Sequence, residues 1–455
     1  MSSPSTPQDI NPGVPDIPYF TPKHAADPGT PFKGSSNTPT LFTPLKIRSK
    51  TLRNRIIVAP MCQYSTASGG PDIGKLTDYH VATLGHYALK GAGLVFIEAT
   101  GVQHNGRITP YCPGIWSDEQ TASHKRVSDF IKSQGALSGI QLAHAGRKSS
   151  TVPPWIAAGF KKPSVRAGTE SGGWPENVVG PSGGPENSWD GKGMAEDGGF
   201  YPPRALTISD IKELVDAFAQ AARRSVEAGI DVIEIHAAHG YLLHQFLSPI
   251  TNRRTDQYGG SFENRSRVLI EVIEAVRAQI PKDMPLFLRV SSTEWMEESD
   301  LAKKYGSWDV ESTIILARLL PGLGVDLLDV SSGGNHPQQR INMFSSSDYQ
   351  TKIANQIRQA LRKDNHNLLI GAVGLITEAE QARNIVEEND KSIGEEASAA
   401  QEMTDAKGGK QPMADVILVA RQFMREPEWV LKVAWKLGVD VAWPSQFLRV
   451  RFPKL

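Results

Sequence analysis

At 455 residues, 39% of them hydrophobic and 22% charged, with a formal net charge of zero, the chain has ample length for a folded core and no overall field to draw nucleic acid or an anionic membrane. No apolar run nears the roughly 18 residues that cross a bilayer, and the N-terminus has no charged segment leading into an apolar one. Cys62 and Cys112 are the two cysteines, too few for a disulfide framework or a structural zinc cluster, so the composition points to a cytoplasmic protein with a small-molecule partner.

Residues 1–40 are rich in Pro, Ser, Thr and Gly and poor in aliphatic side chains, which reads as an extended or disordered arm. From residue 41 to 455 short aliphatic runs alternate with helix-periodic segments. The eight predicted strands are Arg55 to Met61, Leu94 to Ala99, Ser138 to Ala143, Asp231 to His236, Leu286 to Ser291, Asp326 to Ser331, Leu368 to Val373 and Asp415 to Ala420. Thr207 with Asp210, and Thr377 with Glu380, have capping-box spacing, and Gly229 can close the helix that Thr207 opens. Eight strands alternating with helices predict an α/β fold, a (β/α)8 TIM barrel, with an open doubly wound sheet as the alternative. A Gly/Pro/Trp-rich excursion, Thr151 to Arg204, follows the third strand, and Asn389 to Met413 reads as a surface insertion. The last three residues, Pro453-Lys454-Leu455, are close to a peroxisomal address, which makes the peroxisome the alternative location.

Active sites of such barrels lie where the strands end. There the chain places Cys62, Gln63 and Tyr64 after strand one, Gln141, His144, Arg147 and Lys148 at strand three, and His236, His239 and Tyr241 at strand four. Arg289 lies in strand five, "SSGG" and "GAVG" end strands six and seven, and Arg421 ends strand eight. Glycines and an arginine after the last two strands suit a phosphate, although tight turns alone would also account for the glycines. No G-x-G-x-x-G follows the first strand.

The His236/His239 pair has three readings. It can be a metal half-site completed by His144 or Glu234, as in a metal-dependent hydrolase or lyase; Glu234, two residues before His236, shares its strand face. It can consist of ordinary core histidines. Or it can clamp a carbonyl oxygen with two N–H donors while Tyr241 gives a proton. Spacing does not choose among them, nor between Cys62 as a buried hydrophobe and as a tuning thiol.

"APMCQYS", "GIQLAHAGRKS", "DVIEIHAAHGYLLHQFLSPITNRRTDQYGGSFENRSR", "LFLRVS", "DLLDVSSGG" and "GAVG" together resemble the Old Yellow Enzyme family of FMN-dependent ene-reductases, over roughly residues 40 to 450. The nearest likeness is to its thermophilic-like branch, with Cys in the first motif and His-x-x-His in the fourth. The resemblance implies FMN held by Ala59, Pro60, Met61, Cys62, Ala99, Gln141, Arg289, Ser332, Gly333, Gly374, Ala420 and Arg421, with NADPH as reductant. It implies His236 and His239 on the oxygen of an α,β-unsaturated substrate, Tyr241 as proton donor, Tyr64 as a substrate contact, and no metal. It further implies a homodimer or homotetramer in which an arginine near the C-terminus enters the partner's site; Arg449 aligns best, with Arg451 as its rival. Ala420 departs from the family's usual glycine beside the phosphate arginine.

Overall fold

The computed structural model describes residues 11–32, 38–341, 346–387 and 411–453. A hairpin of β1 (Leu45–Ile47) and β2 (Lys50–Leu52) is followed by β3 (Ile56–Val58), β4 (Leu94–Gly101) and β5 (Leu137–Ala143). The excursion contributes a short pair, β6 (Val179–Gly180) and β7 (Arg204–Ala205). The chain then adds β8 (Val232–Ala237), β9 (Leu286–Ser291), β10 (Leu327–Ser331), β11 (Leu369–Val373) and β12 (Val416–Val419). Strands β3, β4, β5, β8, β9, β10, β11 and β12 close into one parallel barrel, β12 pairing back onto β3, so the (β/α)8 expectation holds and the open sheet falls away.

Alternation along each strand sorts two cores. Inward residues such as Ile57, Leu94, Phe96, Val232, Phe287, Leu327, Val416 and Leu418 fill the barrel, while Ile56, Val58, Ile233 and Ile235 face the helical layer. Phe96 and Phe287, both fully buried with ring centroids 6.1 Å apart, each contribute roughly 1.5–3 kcal/mol by leaving water. Ile47 and Leu52 of the hairpin join that interior cluster, closing one end of the barrel.

Five of the eight strands start one residue later than the sequence suggests, and three of those five do so for one reason. Asp231, Asp326 and Asp415 accept the N–H groups of Ser138, Leu286 and Ile370 at 2.8–3.0 Å and thus cap the edges of adjacent strands instead of pairing within their own. Lys50 and Arg48 of the hairpin neutralise Asp231 and Asp326, at 2.7 and 2.6 Å. The helix Ile208–Glu227 has the expected cap, Thr207 accepting from Asp210 N at 3.1 Å, and Gly229 follows it at φ +73°. The second capping box is displaced by one residue: Glu378 and Gln381 form it, because Thr377 N turns to Gln381 Oε1 at 3.0 Å.

Residues 11–32 of the arm run along the barrel exterior. Gly29 lies so close to Gly91 that a Cβ on it would meet Gly91 O at 2.5 Å, and Pro31 bridges Val441. Residues 389–410 of the insertion and the final Lys454 and Leu455 lie outside the described residues. Among the described residues no helix is long and apolar enough to cross a membrane.

Candidate active site

The same alternation that fills the barrel with Val232, Phe287 and Leu327 places polar side chains one step higher, toward the strands' C-terminal ends. Register pairs Gln141 with Glu234 and Arg289 with Asp329. Gln141 Nε2 donates to Glu234 Oε1 at 2.8 Å, and Arg289 Nε lies 3.0 Å from Asp329 Oδ2. Burial raises both carboxyls, Glu234 further because Asp329 is near; Arg289 opposes the rise in each.

His236, paired in register with Arg289, points the same way one step higher, and the turn that follows brings in His239 and Tyr241. Ring centroids lie 5.2 Å apart for His236 and His239 and 5.1 Å apart for His236 and Tyr241, all edge to face. His239 holds a left-handed φ of +57°, which costs a non-glycine residue about 1 kcal/mol or more, and the surroundings hold it there. Its N–H donates to Ser291 Oγ at 2.8 Å, its Nε2 sits 2.7 Å from Ser331 Oγ, and its carbonyl accepts from Lys148 Nζ at 2.9 Å. Gly240, at φ +72°, is where the turn meets the β10 loop; a Cβ would strike Gly334 O at 2.3 Å.

Burial, and after it the charge of Arg289, pushes both imidazoles well below the usual histidine range, so each is neutral at neutral pH and offers one N–H. Burial raises the Tyr241 phenol, which keeps its proton. Lys148 is half-buried between aromatic faces, Nζ 5.1 Å from the Tyr241 ring centre and 4.9 Å from that of Trp189, and loss of solvent around it with Arg147 nearby lowers it to about 7.

Residues Ala59, Pro60, Met61 and Cys62 leave β3 at the same end. Burial raises the Cys62 thiol, against hydrogen bonds from the Ala99 main chain and the Tyr64 side chain, so a protonated thiol rather than a nucleophilic thiolate stands here. Tyr64, at φ +51°, meets Trp155 of the excursion edge-on at 5.8 Å. Across the mouth, Ser332 donates to Gln350 Oε1 and Gln350 Nε2 to Val373 O, both at 2.7 Å, which joins Ser332 and Gly333 to Gly374. Ala420 and Arg421 follow β12, Arg421 with an exposed side chain. Arg449 is exposed on the helix Ser445–Val450, whereas Arg451 is tied to Asp440 at 2.7 Å.

His144 does not join the pair: its Nδ1 accepts Gly146 N–H at 3.1 Å, and among the described residues no three His, Cys, Asp or Glu side chains gather as a metal set. The sequence reading passed over Asp329, Trp189 and Gln350. Alternation in "DLLDVS" would have turned Asp329 inward with Ser331; the other two act through long-range contacts that leave no local signal. His236 Nδ1, Glu234 Oε2 and Trp295 Nε1 are buried without protein partners. A mouth with such unanswered groups, an amide and a guanidinium on one side, and glycines and an exposed arginine on the other fits FMN, a polar flat ring carrying a phosphate.

Comparison with known proteins agrees. The chain is 42% identical to an NADH:flavin oxidoreductase of Gibberella zeae over 432 residues, 94% of this chain and 92% of that one. It is 36% identical to an NADPH dehydrogenase of Bacillus subtilis over 409 residues, 90% and 98% of the two chains. Morphinone reductase superposes with a TM-score of 0.61 at 28% identity, covering 90% of this chain and 93% of that one. Residues 40–396 match the NADH:flavin oxidoreductase / NADH oxidase family, and this chain belongs to it: an oxidoreductase of the Old Yellow Enzyme family that uses FMN and takes its electrons from NAD(P)H.

Proposed function

We propose that this oxidoreductase is an NADPH-dependent ene-reductase, acting on the activated C=C bond of α,β-unsaturated carbonyl or nitro compounds by a ping-pong cycle. The observation that carries the reading is the convergence at the barrel mouth of a neutral imidazole, His236, with a second imidazole and a protonated phenol, each within 5.2 Å of it. Gln141, Arg289 and the Ala59–Cys62 main chain, with Ala99, would hold the FMN ring, and Ser332, Gly333, Gly374, Ala420 and Arg421 its phosphate. FMN when bound carries a hydride equivalent from NADPH to the alkene's β-carbon.

The protein's own groups manage the charge this creates. His236 Nδ1, buried and unpartnered, donates to the substrate's carbonyl or nitro oxygen. With the Ser331 hydroxyl donating to His239 Nε2, His239 Nδ1 carries the second N–H. Negative charge grows on that oxygen as the β-carbon is reduced, so both bonds strengthen most in the transition state. Tyr241 Oη then delivers a proton to the α-carbon. Tyr64 lines the substrate's approach, and Arg449, left exposed while Arg451 is paired, reaches the neighbouring site in a homodimer or homotetramer.

The test is optical. Holoenzyme under nitrogen should lose its yellow absorbance on adding NADPH and regain it on adding cyclohexenone. A flavin that NADPH bleaches but that neither cyclohexenone nor a nitroalkene restores would overturn the ene-reductase reading.

A further inference from the structure

A second concavity opens on the same end of the barrel. Arg147 after β5, Arg253 and Arg254 after β8, Tyr305 after β9 and His336 after β10 line a cleft of about 800 Å³, walled on one side by residues 181–188 of the excursion. None of His236, His239, Tyr241 or Arg289 lines it. A thin layer of hydrogen bonds separates it from them: Arg147 Nη2 donates to Asn335 O at 2.6 Å, and the adjoining Gly334 O accepts from Lys148, whose ammonium faces Tyr241. A ligand stretched outward from the mouth over this rim enters the cleft.

The lining selects for an anion. Arg254 and Asp256 neutralise one another at 2.5 Å, which leaves Arg147 and Arg253 against Glu186, whose side chain stands in solvent on the rim. Arg147 is buried at the cleft's floor, where its Nη1 and Nη2 donate to Asn187 O at 3.2 Å and Asn335 O at 2.6 Å and hold its charge in place near Asp190 and Glu294. Arg253 uses Nε on Ile250 O at 2.9 Å and lays its guanidinium over the Tyr305 ring, forming a flat, cationic surface. Planar guanidiniums are suited to phosphate, and an aromatic–arginine stack to a purine. The chain also lacks the glycine fingerprint with which dinucleotide folds hold phosphates, so the tail of its reductant needs another seat.

We propose that this cleft seats the phosphorylated adenosine of the nicotinamide dinucleotide, with Arg253 and Arg147 on the 2′-phosphate, and thereby sets the preference for NADPH over NADH. The assignment rests on the flavin-reductase reading above, and it is tested apart from turnover with 2′,5′-ADP as the probe.

Calorimetric titration of the holoenzyme should show 2′,5′-ADP binding that weakens about tenfold in Arg253→Gln, the loss expected for one charge-assisted phosphate contact. Glu186→Lys, on the exposed rim where folding is not at stake, should tighten it. The ratio of NADPH to NADH affinity, from anaerobic flavin reduction, should fall with the first variant and rise with the second. No binding of 2′,5′-ADP to the wild type, or binding indifferent to both substitutions, overturns the assignment even where NADPH reduces the flavin. A wild-type flavin that neither NADPH nor NADH reduces overturns the reading beneath it, and this assignment with it.

Discussion

His236 is buried and His239 half-buried beside Arg289, and burial and that charge both disfavour the imidazolium. Two neutral donors suit an oxygen whose charge appears only during reaction, whereas two cations would hold an anion before it. Replacing both by Ala should slow flavin reoxidation by cyclohexenone about 10²–10³-fold, the usual effect of losing oxyanion donors, and weaken phenolic ligands while FMN stays bound. Unchanged stopped-flow rates would remove the pair from the chemistry. Tyr241→Phe should slow reoxidation about 10²–10⁴-fold and reduction by NADPH much less. Equal slowing of the two half-reactions would place the proton source elsewhere. The identity of these three residues was readable from "HAAHGY"; their mutual approach was not, because it depends on a left-handed His239 held by serines from β9 and β10.

The turn after β8 shows how neighbouring elements aim that triad. Gly240 and Gly334 pass at backbone contact, which only residues without a Cβ allow. Gly240→Ala should therefore cost roughly 2–4 kcal/mol, combining a disfavoured φ with a steric clash, and urea unfolding followed by circular dichroism measures it. A loss too small to resolve would mean that the β10 loop yields. Thr207→Ala, at a cap of ordinary geometry, should cost about 1 kcal/mol in the same assay. Caps were legible where one side chain served one backbone group, as at Thr207. Where two candidates competed, as at Thr377 and Glu378, the choice fell to Gln381, which reaches both.

A barrel this size buries several histidines in their neutral form. Burial lowers His124 to about 4 and His144 and His244 to about 3, and it lowers His236 and His239 as well. Above the unfolded value of about 6.5 neither state binds these protons, and their contribution to stability is complete. Below it the unfolded chain takes up protons that the native fold refuses, so stability falls as pH drops from about 6.5 toward 4, by up to about 1.4 kcal/mol per pH unit for each histidine. The thermal midpoint should thus be lower at pH 5 than at pH 7.5, with uptake of several protons on unfolding when calorimetry is repeated in buffers of different ionisation enthalpy. An unchanged midpoint would mean that these rings stay hydrated.

The succession of strands and helices along the chain, which residues share a strand face and the set of polar residues where the strands end follow from alternation and periodicity, which are local properties that any stretch of chain carries with it. The barrel's closure, the buried pairing of Arg289 with Asp329, the staple from Trp189 and Lys148 to the β10 loop and the rim cleft join residues far apart in the chain. Such contacts form only when loops from different strands meet, and their energies come from burial and close approach. No periodic pattern records them, so they became visible only once the barrel had closed.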